Sequence, residues 1–146
     1  MTGKSILVCD DEPHIVHVVA TKLRNAGFDV VTAADGAEAL DLATRQPPDL
    51  VITDYQMPLL SGLELCAKLR ADPKLQNIPA IMLTARGFSL NDGDLQGTNI
   101  KRLLAKPFSP RGVLETVREV LQAAEPTSGE TTGEPKTAEL AGDPNA

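Results

Sequence analysis

Three carboxylates stand where apolar runs end. SILVC, residues 5 to 9, leads into Asp10 and Asp11, and DLVIT, residues 49 to 53, leads into Asp54. Two more runs finish on other polar groups: AIMLT, residues 80 to 84, ends on Thr84, and RLLA, residues 102 to 105, runs into Lys106. Such runs read as strands of a parallel sheet covered on both faces, and ligands of open sheets bind just beyond the strands' carboxyl ends. Carboxylates gathered there repel one another and raise at least one pKa unless a cation neutralises them. Hard oxygens with room for water suit Mg²⁺, which takes one or two carboxylates, a backbone carbonyl and waters. An ammonium and a hydroxyl beside a metal-bound carboxylate make a receptor for a phosphoryl group, with Lys106 offsetting charge and Thr84 donating a hydrogen bond. Each residue alone is commonplace: Asp54 as a turn or cap residue, Asp10 to Glu12 as a charged turn, Lys106 as a solvated lysine. Their joint placement at four strand ends is what singles them out.

The elements that must position them follow from periodicity. A fifth β-type run, FDVVTA, spans 28 to 33, and the five runs alternate with helical patterns, which predicts a parallel sheet with helices on both faces. The first helix starts at Pro13, places Ile15, Val18, Val19 and Leu23 on one face, and stops near Gly27. A second follows Gly36 with Ala37, Leu40 and Ala43 on one side, and a third carries Leu65, Cys66 and Leu69. The last runs from Pro110 with Val113, Val117, Val120, Leu121 and Ala124 in register. The pattern over 87 to 97, GFSLNDGDLQG, predicts only a short or mobile helix, since each glycine costs up to about 1 kcal/mol. The expected fold is α/β, a flavodoxin-like (βα)5 three-layer sandwich of sheet order 2-1-3-4-5, which sets strands one and three side by side.

Composition narrows the class. The chain has 146 residues, 42% apolar but only 3% aromatic, which predicts one small core of Val, Leu, Ile and Ala. No run approaches the roughly 18 apolar residues of a membrane helix, and acids follow the first apolar run where a signal peptide would continue. A cytoplasmic protein with no membrane contact is expected. The net charge of −6 argues against direct nucleic-acid binding, which needs clustered Lys and Arg. Residues 125 to 146 hold five acids and one base, hence −4 of that charge, and Leu140 as their only large apolar residue. Composition therefore predicts a folded domain over 1 to 124 and a disordered acidic tail over 125 to 146. Cys9 and Cys66 lie inside apolar patterns and read as buried thiols. His14 and His17 lack a third ligand nearby, and Gly3 to Ser5 precede their strand, unlike a phosphate-binding loop.

The set Asp10-Asp11-Glu12, D-x-x-M-P-x-x-x-G over 54 to 62, Thr84 in MLTA and K-P-F over 106 to 108 resembles the receiver domain of bacterial two-component response regulators. The resemblance covers about residues 4 to 124. It implies that Asp54 takes a phosphoryl group from a sensor histidine kinase, a histidine phosphotransfer protein or acetyl phosphate. It implies Mg²⁺ bound directly by Asp11 and Asp54, through water by Asp10, and by the backbone carbonyl of Gln56. Lys106 would bond a phosphoryl oxygen, and Thr84 would reorient toward the phosphate as the switch. Such a protein catalyses only its own phosphorylation and dephosphorylation, and signals through altered contacts with a downstream protein target. Two features depart from or modulate the pattern. Leu103 stands where the family carries an aromatic switch residue, so phosphorylation is expected to order a loose segment instead of turning a ring. Gln56 and Arg86 occupy positions that tune dephosphorylation.

With a polar tail in place of an output module, a stand-alone receiver is the expectation, a fragment of a longer regulator being the other option. The rival reading is a phosphorylation-independent interaction module with a receiver fold. A phosphohydrolase needs a second acid where Gln56 stands, and a flavin site would set carboxylates against a phosphate.

Overall fold

The computed structural model describes residues 4–84, 98–106 and 108–124. They form strands β1 (Ser5–Cys9), β2 (Asp29–Ala33), β3 (Leu50–Asp54), β4 (Ala80–Thr84) and β5 (Ile100–Ala105). Their helices are α1 (Pro13–Asn25), α2 (Gly36–Arg45), α3 (Gly62–Ala71) and α4 (Pro110–Ala124). Every strand pair is parallel and the sheet order is β2-β1-β3-β4-β5, as the alternating pattern predicts. The weak helix expected over 87 to 97 and the tail expected over 125 to 146 lie outside the described residues.

Successive strand side chains point to opposite faces, so each central strand feeds two cores. Ile6, Val8, Ile52, Ile81 and Leu83 pack with Val19 and Leu23 of α1 and Val113 and Val117 of α4. Leu7, Cys9, Val51 and Met82 pack with Ala39 and Ala43 of α2 and Leu65, Cys66 and Leu69 of α3. Coverage on both faces is why β1, β3 and β4 read as nearly unbroken apolar runs. Each large side chain so buried contributes about 1.5–3 kcal/mol. Cys9 and Cys66 are free and buried, and burial pushes both thiols up to about 12. No described helix is long and apolar enough to cross a membrane.

The structure corrects the sequence reading in three places. Asp54 is the last residue of β3 instead of the first beyond it, and β5 begins at Ile100, ahead of the RLLA run. The buried face of α2 is Gly36, Ala39 and Ala43, while Ala37 is exposed. The cause lies at Gly36, where an added Cβ would stand 2.3 Å from the Leu60 carbonyl oxygen. Only glycine lets the start of α2 lie this close to the loop after β3, and that approach fixes the helix's rotation. Asp35 then caps it, its carboxylate accepting the Glu38 N–H at 2.8 Å.

Candidate functional site

Adjacency of β1 and β3, with Cys9 opposite Thr53, carries the acids that follow to one edge of the sheet. Asp10, Asp11 and Asp54 offer carboxylate oxygens that all lie within 4.8 Å of one another. Asp10 and Asp54 are buried and Asp11 is exposed. Lys106 arrives at the same edge from the end of β5, its N–H donating to the Thr84 carbonyl at 2.7 Å. Its ammonium lies 3.2 Å from Asp54 Oδ1 and 3.4 Å from Asp10 Oδ2. Thr84 is buried at the end of β4, one position beyond Leu83, which pairs with Asp54. The five side chains singled out by sequence therefore meet at one edge, while Gln56 sits exposed on the loop beyond Asp54.

Sequence reasoning missed a partner. Glu12 Oε1 lies 3.3 Å from Lys106 Nζ, so three carboxylates share one ammonium. Glu12 is the residue before α1 and makes no side-chain cap there, glutamate being outside the short Ser, Thr, Asp and Asn set that caps best. That leaves its carboxylate free to reach Lys106, while its backbone N–H donates to Asp10 Oδ1 at 2.9 Å. The sequence signal was Glu12 itself, the third acid of the Asp10-Asp11-Glu12 set.

The loop from Tyr55 to Ser61 is shaped from both ends. Met57 and Leu60 pack into the α2 and α3 core. The Cys9 thiol donates to the Asp35 carbonyl at 3.2 Å and lies 3.2 Å from Met57 Sδ, under the acids. Thr53 Oγ1 donates to the Asp54 carbonyl at 3.0 Å. Ser61 and Glu64 form a reciprocal capping box at the start of α3, and Gly62 N–H donates to the Tyr55 carbonyl at 2.8 Å. Met57 thus plugs the loop.

Electrostatics at the edge are unfavourable to the carboxylates. Burial, with Asp54 adding to it against the Glu12 N–H and Lys106, pushes the Asp10 carboxyl up to about 6. Burial likewise raises the Asp54 carboxyl, with Lys106 opposing and Asp11 adding. Burial works to lower Lys106, but the pull of Asp10, Asp54 and Glu12 outweighs it and the ammonium is held above its ordinary range. Asp10 Oδ2 is buried with no hydrogen-bond partner among the described residues, Lys106 approaching it without the geometry of a bond. An orphaned buried oxygen among hard oxygen donors fits a small divalent cation such as Mg²⁺.

A stability change follows in metal-free protein. An unfolded aspartate titrates near 3.9, roughly. Because the folded Asp10 holds its proton up to about 6, the folded state binds more protons between those values, and this group's contribution falls as pH rises through that window. Asp10→Asn is expected to raise stability at pH 7.5 in chelator by about 2 kcal/mol, with a smaller gain at pH 5. Urea denaturation at both pH values checks it, and equal or lower stability of the variant at pH 7.5 would contradict it.

Comparison with known proteins fits this geometry. Residues 6–118 match the response regulator receiver domain. The alkaline phosphatase synthesis transcriptional regulatory protein PhoP of Bacillus subtilis is 38% identical over 123 residues, 84% of this chain and 50% of that protein. The phosphate regulon transcriptional regulatory protein PhoB of Pseudomonas aeruginosa is 36% identical over 132 residues, 89% of this chain and 57% of that protein. The chain thus spans about half the length of these relatives. A chemotaxis response regulator of Vibrio cholerae superposes with a TM-score of 0.75 at 33% identity, over 82% of this chain and 99% of that one. The receiver domain of a Pseudomonas aeruginosa sensor histidine kinase, solved with magnesium in its active site cleft, gives 0.73 at 28% identity, over 83% and 99%.

Proposed function

The chain belongs to the response regulator receiver domain family, and on that premise we propose that its acidic edge is a phosphoacceptor site with Asp54 as the nucleophile. The observation that carries the reading is the Lys106 ammonium 3.2 Å from Asp54 and 3.4 Å from Asp10, at an edge where Asp10 keeps an orphaned oxygen. Asp10, Asp11, Asp54 and the backbone carbonyl of Gln56 would hold Mg²⁺, which when bound would supply positive charge for the phosphoryl oxygens. An Asp54 carboxylate oxygen attacks the phosphorus of a phosphohistidine or of acetyl phosphate. An O–P bond forms, the bond to imidazole nitrogen or acetyl oxygen breaks, and the leaving group keeps the electron pair. Lys106 shifts one N–H from Asp54 to a phosphoryl oxygen, with Glu12 still holding the ammonium. Thr84 turns its hydroxyl to the phosphate, and with Leu103 in place of an aromatic ring the response passes through the adjacent segment rather than a ring flip.

Receiver domains are signalling modules, generally not enzymes, and receive phosphoryl groups from histidine kinases. For this chain the chemistry is confined to its own phosphorylation and dephosphorylation, in the cytoplasm, with a sensor kinase or histidine phosphotransfer protein as donor and a protein as target. The relatives named above are transcriptional regulators of about twice its span. The net charge of −6 argues against direct contact of this chain with nucleic acid.

Intact mass tests the reading. Acetyl phosphate with Mg²⁺ is expected to add about 80 Da, one phosphoryl group, and a chelator to prevent it. No gain from acetyl phosphate or from a phosphohistidine donor would favour the phosphorylation-independent interaction module.

A further inference from the structure

The loop after β3 contains a strained residue that the fold does not use. Leu60 N–H donates to the Pro58 carbonyl at 2.8 Å, and the residue spanned by that bond, Leu59, has a φ of 72°. This is a γ-turn of positive φ, a rare and strained conformation for an L side chain. Glycine would adopt it without a Cβ penalty. Leucine stands there, and its side chain returns nothing to the core, being 80% exposed. Val31 and Leu103, the other exposed large apolar residues of the described structure, are less exposed and lie in regular strands.

The turn is held on both sides. Met57 and Leu60 pack into the core, and the loop rests against Gly36. Leu59 is therefore presented on a fixed support, and a preorganised apolar group loses little freedom when a partner covers it. Its surroundings identify the partner. The loop leads directly from Asp54, and the same edge carries the exposed or half-exposed charges Asp11, Glu12 and Lys106. Receiver domains take phosphoryl groups from histidine kinases, and a protein that sets a phosphohistidine against Asp54 must cover this rim.

We propose that Leu59 is an apolar anchor for the phosphodonor, a kinase surface that carries an apolar socket beside its phosphohistidine. This rests on the phosphoacceptor reading above and names a partner-contact residue at that site. Leu59 touches no reacting atom and acts on donor binding alone. Leu59→Gly relaxes the turn, so the variant keeps its fold, and Leu59→Met keeps an apolar group of similar volume.

The test compares two donors. One is acetyl phosphate; the other is the fastest donor to the wild-type chain among a set of purified histidine kinase cores autophosphorylated on histidine. With acetyl phosphate, wild type and both variants are expected to gain the phosphoryl group at rates within about twofold. With the kinase core, Leu59→Gly is expected to lose about tenfold or more in kcat/KM, through KM, and Leu59→Met to retain most of it. Undiminished transfer to Leu59→Gly would overturn the proposal. So would an equal loss with both donors, which would make Leu59 a pocket-shaping residue. A wild-type chain that accepts from acetyl phosphate but from no kinase core would remove the kinase as occupant. Failure of wild type with both donors would instead bring down the phosphoacceptor reading, and this proposal with it.

Discussion

Asp54→Asn is expected to reduce phosphoryl uptake to background, a loss of about a thousandfold or more, seen as disappearance of the mass gain from acetyl phosphate and Mg²⁺. Asparagine keeps the shape of the side chain and removes the nucleophilic charge. The neighbouring acids are placed differently. Asp10 is 1% exposed, with one oxygen accepting the Glu12 N–H and the other turned toward Lys106. Asp11 is exposed but has no ion pair to Lys106, whose carboxylate partners are Asp10, Glu12 and Asp54. Unfolding would not explain the loss either. Burial raises the Asp54 carboxyl, so in the metal-free protein the ionised side chain carries a penalty that a neutral residue relieves, and the variant should unfold at equal or higher urea. A phosphoryl group retained on the variant and mapped to another residue would displace Asp54 from its role.

Gly62→Ala is expected to cost about 3 kcal/mol and to slow phosphorylation. A Cβ at Gly62 would stand 2.1 Å from the Asp54 carbonyl oxygen and 3.1 Å from Tyr55 Cα. Both obstacles are backbone, so no rotamer change relieves them. Either α3 backs away, breaking the Gly62 to Tyr55 bond and loosening its capping box, or the backbone of Asp54 moves. Gly112→Ala is the contrast: its Cβ would meet only the Ser109 hydroxyl oxygen, at 3.0 Å, a side-chain atom that can give a few tenths of an ångström at the expense of the cap bond it accepts from the Gly112 N–H at 2.9 Å. There the gain in helix propensity, up to about 1 kcal/mol, offsets the weakened cap, so the net change should stay well below that of Gly62→Ala. Urea denaturation of the two variants checks the contrast, and comparable stabilities would refute it.

The parts of this molecule legible in sequence are those where one residue type has few alternatives. Apolar runs covered on both faces cannot hide, and carboxylates at their ends mark the edge of the sheet, so β1, β3, β4 and the cluster of Asp10, Asp11 and Asp54 could be read directly. Small residues carry less information. Ala37 and Ala39 are equally compatible with a buried face, and what chose between them was the approach of Leu60 to Gly36, a contact between distant parts of the chain. The Glu12 to Lys106 pair was hidden for the same reason. Leu59 was invisible in another way. Turn signals rest on residues suited to positive φ, and leucine is not one of them, so sequence pattern argues against the conformation it adopts.

Chain order at the acidic edge has a consequence for how the molecule is made. From Glu12 to Lys106 the chain runs 94 residues, and Asp10, Asp11, Glu12 and Asp54 all precede β4 and β5. Synthesis proceeds from the N-terminus, so every acid of the pocket leaves the ribosome well before the ammonium that offsets it. β5 is also the edge strand beyond β4 and the last of the five in the chain, so during synthesis the seam between them can close only after the other four strands have been made. Arrival of the final strand therefore completes the sheet and discharges the pocket's repulsion in one step. Until Lys106 is made, the ammonium that pairs with these acids in the folded chain is missing, and counterions from solution are left to screen them.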